Sequence, residues 1–342
     1  MSEMPEPVVH HLELCVCDAN DTLKRLQKYG FKLFAKRQTS FCESLAVKLG
    51  RIILVVSQRH YNAVIHNDAI RAEPLTILCC EGDSQTQHSI DTVFNLAFSV
   101  KKSDLNKIID NVNSIGGKVI QPPTQVQDEH GVLTYAIIKS CCGNIVHTLI
   151  NKDDYHGPFC TGFEIAESDT CEVLEDNTLD INYIDHVTFA CYSGNSQNII
   201  EFYEKCFGMN RFQIGNNDDE RINGLILSED VGLRLRAMKY YWCSETGLSY
   251  RTKENSPDAL MLVVVESLKG QEKGDILTRF ATTRLYETGF CGHGSLVVKV
   301  TDSWLACQDF EPSTTEKPPC WGAMHVKSVE CSKILPLLRC GS

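Results

Sequence analysis

The residues best equipped for chemistry in this chain are histidines set in strand-like runs. His186 follows Asp185 near the start of Ile184-Asp-His-Val-Thr-Phe-Ala-Cys, an alternating segment in which one parity of side chains faces the interior of a curved sheet. An imidazole there can hold a metal or move a proton, although a lone histidine on a strand more often has a structural role. His10 and His11 stand in a comparable run, Val9-His-His-Leu-Glu-Leu-Cys-Val, with Glu13 close behind. Cysteine, at 17 residues, offers less. Cys79-Cys80 and Cys141-Cys142 are adjacent pairs that cannot easily bridge to each other, and no paired C-x-x-C zinc spacing occurs. The N-terminus, Met1-Ser-Glu-Met-Pro-Glu-Pro, has neither the basic nor the apolar region of a secretory signal. The thiols therefore read as reduced, and mostly as small buried hydrophobes.

Composition narrows the chemistry further. Of 342 residues, 43% are hydrophobic and 23% charged, which suits a folded chain with a sizeable core. Lys+Arg 33 against Asp+Glu 44 leaves a formal charge of −11 with no basic cluster, so nucleic acid and anionic lipid lack an electrostatic footprint and a small molecule is the expected partner. The apolar runs, such as Arg51-Ile-Ile-Leu-Val-Val and Leu260-Met-Leu-Val-Val-Val, stop well short of the roughly 18 residues needed to span a bilayer. The acidic opening argues against an Arg-rich transit peptide, which leaves the cytoplasm as the expected compartment.

The elements that position these residues repeat. Val9-His-His-Leu-Glu-Leu-Cys-Val reads as a strand, followed by a helix starting near Asp18 to Asp21 and stopping at Gly30. Phe31-Lys-Leu-Phe, Phe41-Cys-Glu-Ser-Leu-Ala-Val and Arg51-Ile-Ile-Leu-Val-Val then supply three strands. The order recurs from Thr92, with Ser103 as the expected N-cap of a helix over 104–115 and Gly116-Gly117 ending it. It opens a third time at Tyr183, with a helix from Ser196 to Cys206 closed by Gly208. Three βαβββ units at a spacing of roughly 85 to 90 residues are self-similarity of the kind that defines an architecture. Such units work in pairs, each pair making a cup with an interior able to hold a ligand. The fold expected is α+β, with two cup-shaped modules of which the second is incomplete. The modules fall at 8–151 and 181–290, with a linker at 152–180 and an irregular tail at 291–342 that carries Pro312, Pro318, Pro319 and Pro336.

Four stretches carry a resemblance: His10-His-Leu-Glu-Leu, the joint Tyr155-His-Gly-Pro-Phe-Cys-Thr-Gly-Phe-Glu, the Asp185-His strand with its helix Phe202-Tyr-Glu-Lys-Cys-Phe-Gly, and Val265-Glu-Ser-Leu-Lys-Gly. On these the chain resembles the 4-hydroxyphenylpyruvate dioxygenase family of vicinal-oxygen-chelate (glyoxalase-like) proteins, and more closely its dioxygenase-like paralogues. The resemblance implies an Fe(II)-dependent oxygenase acting on 4-hydroxyphenylpyruvate or a related 2-oxo acid with O2. Such an enzyme serves tyrosine catabolism or the supply of hydroxymandelate and a ubiquinone head group. It also implies that two imidazoles and a carboxylate hold the metal on one face, His186 being the first, and it raises a mitochondrial address as the alternative to the cytoplasm.

The resemblance fades toward the C-terminus. The family's second His lies in a Gly-x-Gln-His pattern and its Glu in Phe-x-Glu-x-Ile-Gln-Arg, and neither motif is present. His293, in Gly292-His-Gly-Ser-Leu-Val-Val, falls roughly where the second ligand belongs, and Glu311 and Glu330 are weak candidates for the third. In the first module the repeat aligns His11 with His186, Asn95 with the second His and Thr148 with the Glu, so no metal is expected there. His147 and Glu13 alternate to the faces opposite Thr148 and Leu12. Val265 stands where the tyrosine-pathway enzymes carry a substrate-holding Asn, which favours the paralogue. The alternative is a catalytically inactive, truncated paralogue that binds a ligand or partner, with an open half-sheet that would favour a homodimer.

Overall fold

The computed structural model describes residues 7–60, 92–142, 145–166, 183–191, 194–211, 225–228, 233–235, 248–249, 261–267, 289–291 and 295–301. The first unit is β1 (Val8–Val16), α1 (Ala19–Gln27), β2 (Lys32–Gln38), β3 (Cys42–Leu49) and β4 (Ile52–Arg59). Asp18 caps α1 by accepting from the Asp21 backbone N–H at 2.8 Å, which satisfies one of the four orphan donors of the first turn. Gly30, at φ 92°, takes the left-handed turn that returns the chain into β2.

The second unit is β5 (Thr92–Ser99), α2 (Lys102–Ser114), β6 (Val119–Asp128), β7 (Gly131–Lys139) and β8 (Val146–Asn151). Its helix starts earlier than the sequence implies: the cap position is Lys101, without a side-chain cap, and Ser103 lies inside the first turn with its hydroxyl on Asp104 at 3.3 Å. β6 runs on through Pro122 and Pro123, which is tolerable because it is an edge strand.

Nine strands form one curled mixed sheet in the order β6-β7-β8-β5-β1-β4-β3-β2, with β9 (Glu164–Ile165) beside β2. Each unit closes on itself through a parallel pair, β1 with β4 and β5 with β8. The units join through the antiparallel pair β1–β5. Residues 152–166, placed by composition in the linker, lie against this sheet: Tyr155, Phe159 and Cys160 are buried in the concave face and Ile165 pairs with Ala35. Gly131 explains how they are held. Its φ of 121° and the close approach of the Asp154 carbonyl leave no room for a Cβ, and Val132 N–H donates to that carbonyl at 2.9 Å.

Alternation sorts β1 into two cores. Leu12, Leu14 and Val16 pack toward the helices with Leu54, Val56 and Ile108, while Cys15 faces the concave side with Val55, Phe94 and Tyr135. Full burial of a Leu, Ile or Phe side chain is worth about 1.5–3 kcal/mol, so the helix-side layer fixes the register that aims the other parity into the cup.

The third unit supplies a second sheet. β10 (Tyr183–Cys191), α3 (Ser196–Phe207), β11 (Asn210–Arg211), β12 (Leu225–Ser228), β13 (Leu233–Leu235), β14 (Leu248–Ser249), β15 (Met261–Ser267), β16 (Gly289–Cys291) and β17 (Ser295–Thr301) follow in order. Its main path is β11-β14-β15-β10-β17-β16. Gly208 ends α3 at φ 70°. β10 and β15 are parallel, as β1 and β4 are. β17 is a strand inside the stretch expected to be an irregular tail, and it runs parallel to β10, whereas β5 runs antiparallel to β1. Among the described residues, no helix is long and apolar enough to cross a membrane.

Candidate functional site

His186 is the fourth residue of β10, the strand flanked by β15 and β17 in the second sheet. Its backbone stands opposite Met261 on one side and Val297 on the other. Val187, Phe189 and Cys191 are buried toward α3 together with Leu262 and Val264. Positions 186, 188 and 190 of β10 and 263 and 265 of β15 therefore share the opposite face of the sheet. Val265 is on that face, paired with Ala190. His293, Glu311 and Glu330 lie outside the described residues. The strands flanking His293 are placed: Cys291 pairs with Ser295, and Ser295 with Tyr183, three positions before His186.

The equivalent face of the first sheet closes around a small cavity. His11, Glu13, Arg37, Asn95, Thr148 and Phe159 line a cavity of about 20 Å³, room for roughly one water molecule. The Glu13 carboxylate accepts from Ser57 Oγ at 2.7 Å and from Asn95 Nδ2 at 3.1 Å. Asn95 Nδ2 also donates to Thr148 Oγ1 at 3.0 Å, and the Thr148 N–H donates to Asn95 Oδ1 at 3.2 Å. Burial pushes the Glu13 carboxyl up, opposed by its bonds to Asn95 and Ser57 and by the Arg37 guanidinium. Burial and the neighbouring His10 and Arg37 hold His11 well below its ordinary value, so it is neutral. Phe159 fills the mouth, its ring 5.3 Å from His11, 5.4 Å from His10 and 5.4 Å from Phe34. Lys152 Nζ fixes the loop by donating to the Phe159 carbonyl at 2.7 Å.

The aligned trio His11, Asn95 and Thr148 is thus brought together around one cavity. Glu13 joins them. Its parity is opposite that of Leu12, which puts it on the same face as His11 and inside the cup, a consequence that alternation along β1 already contained. His147 goes to the other face, where its Nδ1–H donates to the Leu96 carbonyl at 2.9 Å. Cys160, pushed up to about 12 by burial, is a poor nucleophile.

The fit to a metal is limited. Asn95 and Thr148 are weak Fe(II) donors and hold each other, and among the described residues no three His, Cys, Asp or Glu side chains gather closely enough to ligate an ion. Fe(II) in a facial site needs two imidazoles and a carboxylate. The described part of the second sheet contributes one imidazole position, His186, which by itself is not a complete donor set for the ion.

The curled mixed sheet built from βαβββ units is the fold of a solved mutant of 4-hydroxymandelate synthase from Streptomyces coelicolor, with a TM-score of 0.52 and 19% identity over 80% of this chain and 65% of that one. In sequence the chain is similar to the 4-hydroxyphenylpyruvate dioxygenase-like protein of Homo sapiens, 26% identical over 263 residues, covering 76% of this chain and 61% of that protein. A 4-hydroxyphenylpyruvate dioxygenase from Dictyostelium discoideum is 32% identical over 132 residues, 38% of this chain and 35% of that enzyme. No family model matches the chain. The resemblance to 4-hydroxyphenylpyruvate dioxygenases and their dioxygenase-like relatives therefore holds, and the chain spans about 60% of the length of those dioxygenase-like relatives.

Proposed function

We propose that this chain is a dioxygenase-like protein whose second module takes a 2-oxo acid of the arylpyruvate class, with His186 as one ligand to a non-haem Fe(II). The observation that carries this reading is the place of His186 on β10, flanked by two strands and on the sheet face turned away from α3. Fe(II) bound with positions left open would supply O2 activation beside the 2-oxo group of the substrate. The chain's own part is to present an imidazole on a strand registered by its buried neighbours and to shape the face beside it. Val265, standing where the resembled enzymes carry an amide, has no hydrogen bond to offer a polar ring substituent, which moves specificity away from the tyrosine-pathway outcome.

The parallel setting of β17 favours a second reading, a module that binds a ligand without turning it over. One experiment separates the two: anaerobic Fe(II) titration of the full chain, then oxygen uptake with 4-hydroxyphenylpyruvate. Stoichiometric iron with uptake supports the enzyme and makes His293→Ala the next variant. Absence of specific iron overturns it in favour of the binding protein.

A further inference from the structure

Tyr203 of α3 is wholly buried, and its hydroxyl sits 2.8 Å from His147 Nε2 and 3.2 Å from Ser140 Oγ. Because Nδ1–H of His147 is committed to the Leu96 carbonyl, Nε2 is the acceptor and Tyr203 the donor. Ser140 O–H then donates to the tyrosine oxygen. One residue of the second module thereby completes a hydrogen-bonded chain that runs from Ser140 through His147 to β5 of the first. The same ring lies 5.5 Å from that of Phe189 on β10, three positions after His186. Asn111 of α2 adds a second tie, its Nδ2 donating to the Cys206 carbonyl at 3.3 Å. α3 thus has one side on each module's core.

We propose that His147 and Tyr203 are positioning residues for the His186 site: their hydrogen bond seats α3 on the first sheet, and Phe189 passes that seating to β10. The role assigned to His186 rests on the function proposed above, but the coupling does not require it. Leaving the His147 acceptor unpaired in this buried interface is expected to raise a local opening equilibrium about tenfold. Apolar packing alone would hold α3 to β10 without a link to β8; the hydrogen-bonded chain makes the link specific.

Hydrogen exchange on the full, metal-free chain tests this with Tyr203→Phe, which keeps the ring, and with Ser140→Ala as the milder variant should Tyr203→Phe fail to fold. The amides of β10 and α3 are expected to lose about tenfold in protection while those of β3 and α1 keep theirs. His147→Gln combined with Tyr203→Phe should add little to either alone. Equal loss in both sheets would reduce the pair to ordinary core packing, and unchanged protection in β10 would remove the coupling altogether. Fe(II) affinity is read in parallel. If wild type binds no iron, the functional reading fails while the exchange result still decides the coupling.

Discussion

His11 and His186 occupy the same backbone station in two different sheets. Each is the fourth of nine residues on a strand with a parallel partner from its own unit. Each follows directly on a register irregularity, between Val9 and His11 on one strand and between Ile184 and His186 on the other. Each is succeeded by three alternate residues buried toward a helix. The surroundings differ. His11 is enclosed by His10 and Phe159 and shares its cavity with an amide and a hydroxyl, a setting that keeps an imidazole neutral without giving an ion a complete donor set.

His186→Ala is expected to abolish Fe(II) affinity of the full chain, and His11→Ala to leave it unchanged while lowering stability. Calorimetric titration of the two variants checks this, and equal loss in both would end the assignment by repeat.

Glu13→Ala removes the carboxylate that accepts from Ser57 Oγ and from Asn95 Nδ2, leaving the amide only its bond to Thr148, and takes away an acidic group beside Arg37. The expected cost is about 2–4 kcal/mol in urea unfolding, with Fe(II) affinity untouched. A neutral effect on stability would mean the network is not a structural element.

Acid should weaken the fold. Burial lowers His147 to about 4, the bond to the Leu96 carbonyl opposing it and Lys139 assisting, and burial with Lys152 lowers His10 to about 3; His11 is lowered as well. In the unfolded chain these groups titrate near 6.5, so between 6.5 and the folded values the unfolded state binds more protons. Stability is then full above about pH 6.5 and falls as the pH drops, by about 2 kcal/mol for His147 alone between pH 7.5 and 5. Glu13, raised by burial, works in the opposite sense but is one group against three. Urea midpoints at the two pH values are the check, and a midpoint no lower at pH 5 would contradict neutral buried imidazoles.

Val265→Asn restores an amide on the face shared with His186. If the chain turns over arylpyruvates, this variant should shift preference toward the ring-hydroxylated substrate, read as a ratio of kcat/KM for 4-hydroxyphenylpyruvate over phenylpyruvate. An unchanged ratio would put Val265 outside the substrate's reach.

Much of the frame was legible because it is periodic. The alternation of β1 and β10, Asp18 ahead of α1 and Gly208 after α3 are local signals that the fold obeys. Ser103 misled because Lys101 already offers extended backbone and nothing requires a side-chain cap. Residues 152–166 read as linker because their anchoring is tertiary, through Phe159 in the cup and Gly131 against Asp154, which no polarity pattern announces. Glu13 was discounted by attention to one neighbour's parity, when its shared parity with His11 was the informative relation. The direction of β17 has no local signature at all, since strand polarity depends on the path of the chain between strands.

That polarity has a geometric consequence. In the first sheet a half-turn about an axis through the β1–β5 joint exchanges the two units, so the two strands' C-terminal ends leave from opposite rims. In the second, β10, β15 and β17 all point the same way, so no such axis passes between β10 and either of its described neighbours. A donor that faces His186 from β17 therefore cannot be found by mirroring the residue count of the first sheet. At the height of His186 the neighbouring β17 presents Val297, four positions after His293 in the chain.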